Sequence, residues 1–226
     1  MIKYFLSVDC AVKTFAYCIV KVDTTNFDYV TKKINLLTQI LKMPEKITKS
    51  RLSELLSIYE KLKEMVTHYI EIISGDVVNL TDEQHTISKI RALNEYCKSA
   101  ILPVIATLPQ QKLNVMIEFQ MGQNPESRTI MIAFAALFIE HNCIIVGPSL
   151  KNKVYYSEEG RLSNFIQKYS SSHTANKAHT TFNFKLILKD IKSNLREIKN
   201  SDLNHIADSF MQIFGYINFS DEEERY

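Results

Sequence analysis

The run Lys3-Tyr4-Phe5-Leu6-Ser7-Val8-Asp9 constrains this chain more than any other stretch. Large apolar and β-branched residues ending in one carboxylate read as a central strand that delivers Asp9 to the rim of a sheet. Burying a lone carboxylate is costly unless a cation or hydrogen-bond donors meet it, so Asp9 needs a partner. The plain alternative is an Asp that merely opens the turn at Cys10-Ala11. Two further acidic positions argue against it. Leu113-Asn114-Val115-Met116-Ile117-Glu118 is a second apolar strand ending in a carboxylate, and Asp208 interrupts the apolar pattern of Asn204-His205-Ile206-Ala207-Asp208-Ser209-Phe210-Met211.

Residues three apart on a helix share a face, so His205 and Asp208 point at one spot. At 100° per residue they lie about 60° apart, whereas Asp202 lies about 120° from Asp208 and nearly two turns back. Asp202 follows Lys199-Asn200-Ser201 and reads as a helix cap instead. Converging carboxylates at Asp9, Glu118 and Asp208 would push at least one pKa up sharply unless a cation joined them. Hard oxygen donors suit Mg²⁺ or Mn²⁺ and not zinc.

The 226 residues, 46% of them hydrophobic, suffice for one domain with a full core, expected over 1–219 with an acidic, frayed tail at 220–226. Thr14–Val22 and Phe27–Leu37 read as strands that form an antiparallel meander with the first, because the links are too short for parallel crossovers. Leu52, Leu55, Leu56, Tyr59, Leu62, Val66, Tyr69, Ile70 and Ile73 recur at helical spacing until Gly75-Asp76. A second helix from Asp82 to about Thr107 completes a helical elaboration over about 45–107. Pro125 to about His141 reads as a helix and Cys143–Val146 as a strand parallel to Leu113–Glu118. Ser170–Thr181 is small and polar and reads as a mobile loop, followed by helices over Phe182–Ile198 and Asp202–Ile217.

A formal charge of +2 excludes any argument from net charge, but residues 151–200 hold ten Lys or Arg against four Asp or Glu. Such an excess can follow a phosphate backbone or simply be a solvated helix face. Cys10, Cys18, Cys97 and Cys143 have no metal-binding spacing and read as buried, reduced thiols of an intracellular protein. No apolar run approaches the roughly 18 residues of a membrane span. The first strand begins almost at Met1, which leaves no room for a signal or transit peptide.

Asp9-Cys10-Ala11-Val12-Lys13-Thr14-Phe15-Ala16-Tyr17 resembles the opening Asp-x-Gly-x-Lys-Asn-x-Ala-Tyr of RuvC-like Holliday junction resolvases, above all their poxviral and fungal mitochondrial branch. Ala11 stands where Gly is usual, and Thr14 where Asn is usual. Glu118-Phe119-Gln120 is similar to the family's Glu-x-Gln. Pro148-Ser149-Leu150-Lys151-Asn152-Lys153 resembles its Pro-x-x-x-Lys loop, with either Lys151 or Lys153 as the lysine near the scissile phosphate. Asp208 fits the family's final Asp, and His205 falls on the penultimate acidic position, where Asp is commoner.

The resemblance implies a ribonuclease H-like α/β fold: an antiparallel three-strand meander plus two parallel strands, flanked by helices. It implies an endonuclease that resolves four-way DNA junctions as a homodimer and leaves 5′-phosphates. Asp9, Glu118, His205 and Asp208 would be the metal ligands, two Mg²⁺ or Mn²⁺ ions the cofactor, and Lys151 or Lys153 the active-site lysine. A viral protein acting in the host cytoplasm is the matching expectation for its place. Two other classes remain. A sugar-kinase or actin-like ATPase would need Gly-rich phosphate loops, and five glycines in the chain supply none. A catalytically inactive ribonuclease H fold, kept as a DNA-binding or scaffold protein, is the rival that Ala11 and His205 keep open.

Overall fold

The computed structural model describes residues 1–24, 48, 51–53, 56–57, 68–80, 83, 85–109, 113–119, 124–154, 156, 159–195 and 198–219. Its strands are β1 (Ile2–Cys10), β2 (Thr14–Asp23), β3 (Ile70–Asn79), β4 (Asn114–Glu118), β5 (Asn142–Val146) and β6 (Lys192–Ser193). They form one mixed sheet in the order β5-β4-β1-β2-β3-β6. β1, β2 and β3 are an antiparallel meander, and β4 and β5 run parallel to β1 on its other side. This is the ribonuclease H-like arrangement expected, extended by the two-residue β6 parallel to β3.

Alternation along the strands divides the core into two layers. Leu6, Val8, Tyr17, Ile19, Val115 and Ile117 face α1 (Thr86–Tyr96) and α3 (Pro125–Leu137), meeting Leu93, Ile130, Phe134 and Phe138. Phe5, Cys18, Val20, Ile72 and Met116 face the other way, towards α5 (Ser172–Leu188) and α6 (Leu203–Phe219). Between α1 and the short α2 (Leu102–Ala106) the chain makes a π turn at Cys97–Ile101. A 3-10 turn at Leu150–Lys153 and α4 (Leu162–Lys168) connect β5 to α5.

α6 is the pivot of the second layer. Every residue from Ile206 to Ile217 is buried, as befits a helix that is apolar nearly all round. A large apolar side chain fully buried stabilises by roughly 1.5–3 kcal/mol, so the row Ile206, Phe210, Met211, Ile213, Phe214 and Ile217 fixes α6 firmly on the sheet.

Several expectations need correction. Residues 70–79 are the third strand of the meander, not the end of a helix. Tyr69, Ile70 and Ile73 satisfy helical spacing, but the β-branched run containing Ile70, Ile72, Val77 and Val78 pairs with β2 along its length, with one register shift at Ile73. Gly75 is no helix stop: a Cβ there would sit 3.1 Å from the Tyr17 carbonyl and 2.8 Å from Leu195, so the strand needs its absence. The helical region is interrupted accordingly. Phe27–Leu37, Gln120 and the tail 220–226 lie outside the described residues.

Ser170–Thr181 is largely the first half of α5. Ser171 caps it by accepting from the Thr174 N–H, and Ala175, His179 and Thr180 are buried. The helix ends at Leu188, so the described residues 189–195 and 198 are not helical as expected, and Lys192–Ser193 form β6. Cys10, Cys18 and Cys97 are buried thiols, while Cys143 is exposed on the edge strand β5.

Candidate active site

β1 and β4 lie parallel with Ser7 opposite Met116 and Val8 opposite Ile117, so both strands bring their terminal carboxylates to one rim. The two-residue alternation that turns Val8 and Ile117 into the α1/α3 layer turns Ser7, Asp9, Met116 and Glu118 towards α6. α6 meets them with the face carrying His205, Asp208 and Gln212, positions three and seven residues apart.

The centre of the cluster is an ammonium. Lys151 Nζ lies 3.0 Å from Glu118 Oε2 and 3.1 Å from Asp208 Oδ2, all three side chains nearly buried. His205 Nδ1 stands 3.6 Å from Asp9 Oδ2. Glu118 Oε2 also accepts a short hydrogen bond from Gln212 Nε2, and Gln212 Oε1 accepts from Ser7 Oγ at 2.9 Å. This buried chain crosses from β1 to α6 to β4 and fixes one oxygen of Glu118. Ser209 Oγ donates to the Ala16 carbonyl at 3.3 Å, pinning α6 to β2 directly beside Asp9, which pairs with Ala16.

Burial raises the Glu118 carboxyl to about 7; the charges of Asp9 and Asp208 add to this, and Lys151 partly offsets it. Asp208 is raised as well, by burial and by Asp9, against the pull of Lys151 and Lys177. For Lys151 burial favours loss of the proton, but Asp208, Glu118 and Asp9 outweigh it and hold the ammonium above its ordinary value. The cluster is therefore short of positive charge, and Lys151 supplies part of it.

The expected residues separate as follows. Asp9, Glu118, His205, Asp208 and Lys151 share the rim. Lys153 does not: it lines another cleft with Ile144, Gly147 and Tyr216. Asp202 serves the helix start, its carbonyl accepting the His205 N–H at 3.1 Å and its carboxylate the Ser201 hydroxyl at 3.0 Å. Among the described residues no three His, Cys, Asp or Glu side chains are gathered closely enough to hold a metal ion. Glu118 and Asp208 meet the Lys151 ammonium, and Asp9 meets His205, instead of all three sharing one coordination sphere. Ala11 is relaxed, because no described non-glycine residue has positive φ.

A cleft of about 290 Å³ opens onto Glu118, Lys151 and Asp208, walled by Phe119, Asn152, His173 and Lys177 among others. Asn152 Oδ1 is a buried oxygen with no hydrogen-bond partner among the described residues. A cleft lined by two buried carboxylates and the Asn152 amide suits a hard cation or its water.

The chain is similar along nearly its whole length to solved resolvase structures. One is a Thermus thermophilus RuvC structure, at 12% identity and TM-score 0.48 over 96% of this chain and 95% of that one. Another is a Fowlpox virus resolvase in complex with substrate Holliday junction DNA, at 16% identity and TM-score 0.42 over 95% of this chain and 96% of that one. No protein-family model matches the sequence, and no curated protein matches it. So distant a likeness leaves the architecture to stand on the strand order and the chemistry on the side chains.

Ser7 and Gln212 escaped the sequence reading, and Lys177 entered it only as one of the ten cations of 151–200. Gln212 had a signal, a polar residue on the His205–Asp208 face of an apolar helix. Ser7 had none, since a strand serine is common everywhere.

Proposed function

We propose that this protein is a divalent-metal-dependent endonuclease that resolves four-way DNA junctions by paired phosphodiester hydrolysis. The observation that carries this reading is the convergence of carboxylates from β4 and α6 on one nearly buried ammonium, with the β1 carboxylate Asp9 on the same rim against His205. Structural ion pairs are usually two-membered and exposed; a cluster with excess negative charge at the mouth of a cleft is built to take up cations. Asp9, Glu118 and Asp208, with His205, would hold Mg²⁺ or Mn²⁺, which when bound would activate water and neutralise charge on the scissile phosphate.

The chain's own residues do the rest. Gln212 and Ser7 hold one oxygen of Glu118 in place at the cleft. Lys151 offers its ammonium to a phosphate oxygen, and Lys177, on the cleft wall, offers a second cation to the backbone. The product would carry a 5′-phosphate.

Two symmetric nicks require two sites, and a homodimer would supply them. Exposed apolar residues near the end of α3 and on β5 support it. Met131 and Phe134 of α3 belong to the core, but Ile132, Leu137 and Ile139 are 58%, 44% and 74% exposed, and Ile145 of the adjoining edge strand 52%.

The inactive-scaffold reading draws on a specific observation too, the absence of a three-donor metal set among the described residues. Nicking of a synthetic four-way junction with Mg²⁺ or Mn²⁺, against duplex and single-strand controls, separates the two. Asp9→Asn, Glu118→Gln and Asp208→Asn should each lower the rate by about 100-fold or more, on the scale of losing a charge-stabilising group in a buried site. Junction affinity should stay within a few-fold, because phosphate contacts elsewhere carry it. Rapid cleavage by any of the three variants would remove that residue from the site.

A further inference from the structure

Beside the carboxylate cleft lies a larger one, about 700 Å³, between α4 and α5. Its apolar wall is aromatic: Phe165 and Tyr169 hold parallel ring planes with centroids 6.2 Å apart, and Phe182 lies 5.5 Å from Phe165. Lys168, Lys177 and Lys185 border it, against Glu159. His179 lies fully buried behind Phe165, edge-on to it at 5.6 Å. Burial pushes its pKa down to about 4, opposed in part by the nearby Gly160 carbonyl, so the imidazole stays neutral and packs behind Phe165.

Lys177 decides what this cleft is for, because it lines both cavities. A strand that meets the carboxylates can run past Lys177 straight into the aromatic cleft. Duplex DNA has no use for such a surface, since paired and stacked bases hide their faces. An unpaired nucleotide offers a π-face for the rings and phosphates for the lysines. Bases at a branch point are the cheapest in the molecule to unstack.

We propose that the α4–α5 cleft receives an unpaired base of the strand leaving the carboxylate site, stacked on Phe165, Tyr169 and Phe182 with its phosphates on the bordering lysines. This rests on the nuclease reading for the polarity of the strand. It adds a subsite that tells branched DNA from duplex before any bond is cut.

The test uses the full chain in EDTA, so that binding is read without cleavage. Junctions carry either a normal nucleotide, an abasic site or 5-iododeoxyuridine next to the cut position. The abasic junction should bind wild type roughly 5- to 100-fold more weakly than the normal one, the loss expected for one stacked base. Tyr169→Leu and Phe165→Leu, which keep apolar volume, should bind both junctions equally. Irradiation should cross-link the iodinated base to peptide 162–182.

Equal wild-type affinity for the normal and abasic junctions, with cross-links mapping elsewhere, would overturn the stacking site. Should either Leu variant fail to fold, the wild-type abasic comparison decides alone. A junction that is nicked with Mg²⁺ yet shows no such discrimination leaves the nuclease reading intact and sinks only this inference. Cross-linking to peptide 162–182 without nicking does the reverse. No binding to any junction overturns both.

Discussion

Glu118 ties the charge of the site to the stability of the fold. Its carboxyl titrates at about 7 when folded, against an ordinary value of 4.5. The folded state thus holds this proton more tightly than the unfolded chain. Stability is greatest below the unfolded value and is lost as the pH rises towards 7. Melting temperature in EDTA should fall between about pH 5 and pH 7.5, and Glu118→Gln should flatten that fall. Divalent cations should restore stability most at the upper end, where the carboxylates are free to take them. A melting temperature indifferent to pH in wild type would show that Glu118 is not buried as described. His205 and Asp202 make a second pair of outcomes at this scale. His205 faces Asp9, and Asp202 faces Ser201. His205→Ala should cost about tenfold or more in cleavage, the scale of losing a group that orients a metal site. Asp202→Asn should leave the rate unchanged, and the opposite result would reassign the start of α6.

At the scale of elements, the position of Lys151 depends on a glycine with no chemistry of its own. A Cβ at Gly215 would come within 2.7 Å of the Leu150 carbonyl oxygen, a backbone atom that cannot move aside cheaply. α6 and the Leu150–Lys153 turn are in contact only because that Cβ is missing, and the turn in turn aims Lys151 at Glu118 and Asp208. Gly215→Ala should therefore cost roughly 1–3 kcal/mol of stability through overpacking and slow cleavage by displacing the turn. Gly147→Ala, where a Cβ meets only Ser149 Oγ at 4.0 Å, is the silent control. A Gly215→Ala protein with wild-type melting and rate would refute this account of the turn.

The elements also show what a sequence can and cannot reveal. Strands β1 and β4 were legible because each is a short apolar run closed by a carboxylate, and Asp208 because charge is rare on a buried helix. β3 was not, because Tyr69, Ile70 and Ile73 satisfy helical spacing as well as pairing does, and only the partner strand decides. The start of α5 was hidden by its composition: His, Thr and Asn residues that suit a loop are held helical by the Ser171 cap and by burial against α6. Lys151 and Lys153 were indistinguishable in the sequence. A 3-10 turn advances about 120° per residue, so positions two apart face different ways, and the structure sends them to different clefts.

At the scale of the whole molecule, the exposed apolar residues Leu137, Ile139 and Ile145 should govern assembly. Ile139→Glu combined with Ile145→Lys should give a monomer by sedimentation that still binds junctions but makes uncoupled single nicks. A wild-type protein that sediments as a monomer under cleavage conditions would contradict the homodimer.

The site draws on residues 9, 118, 151 and 208, while the sheet's central hairpin closes within residues 2–23. Contacts so distant along the chain form late in folding. During synthesis, at about 5–20 residues per second, the ribosome releases the carboxylates of β1 and β4 long before α6. Until α6 emerges, the nascent chain has Asp9 and Glu118 but neither Asp208 nor Gln212, and the sheet face meant for α6 is bare. On the nuclease reading proposed above, a polypeptide still missing that helix cannot cut DNA, and the last of these elements to be made is the one that would switch activity on.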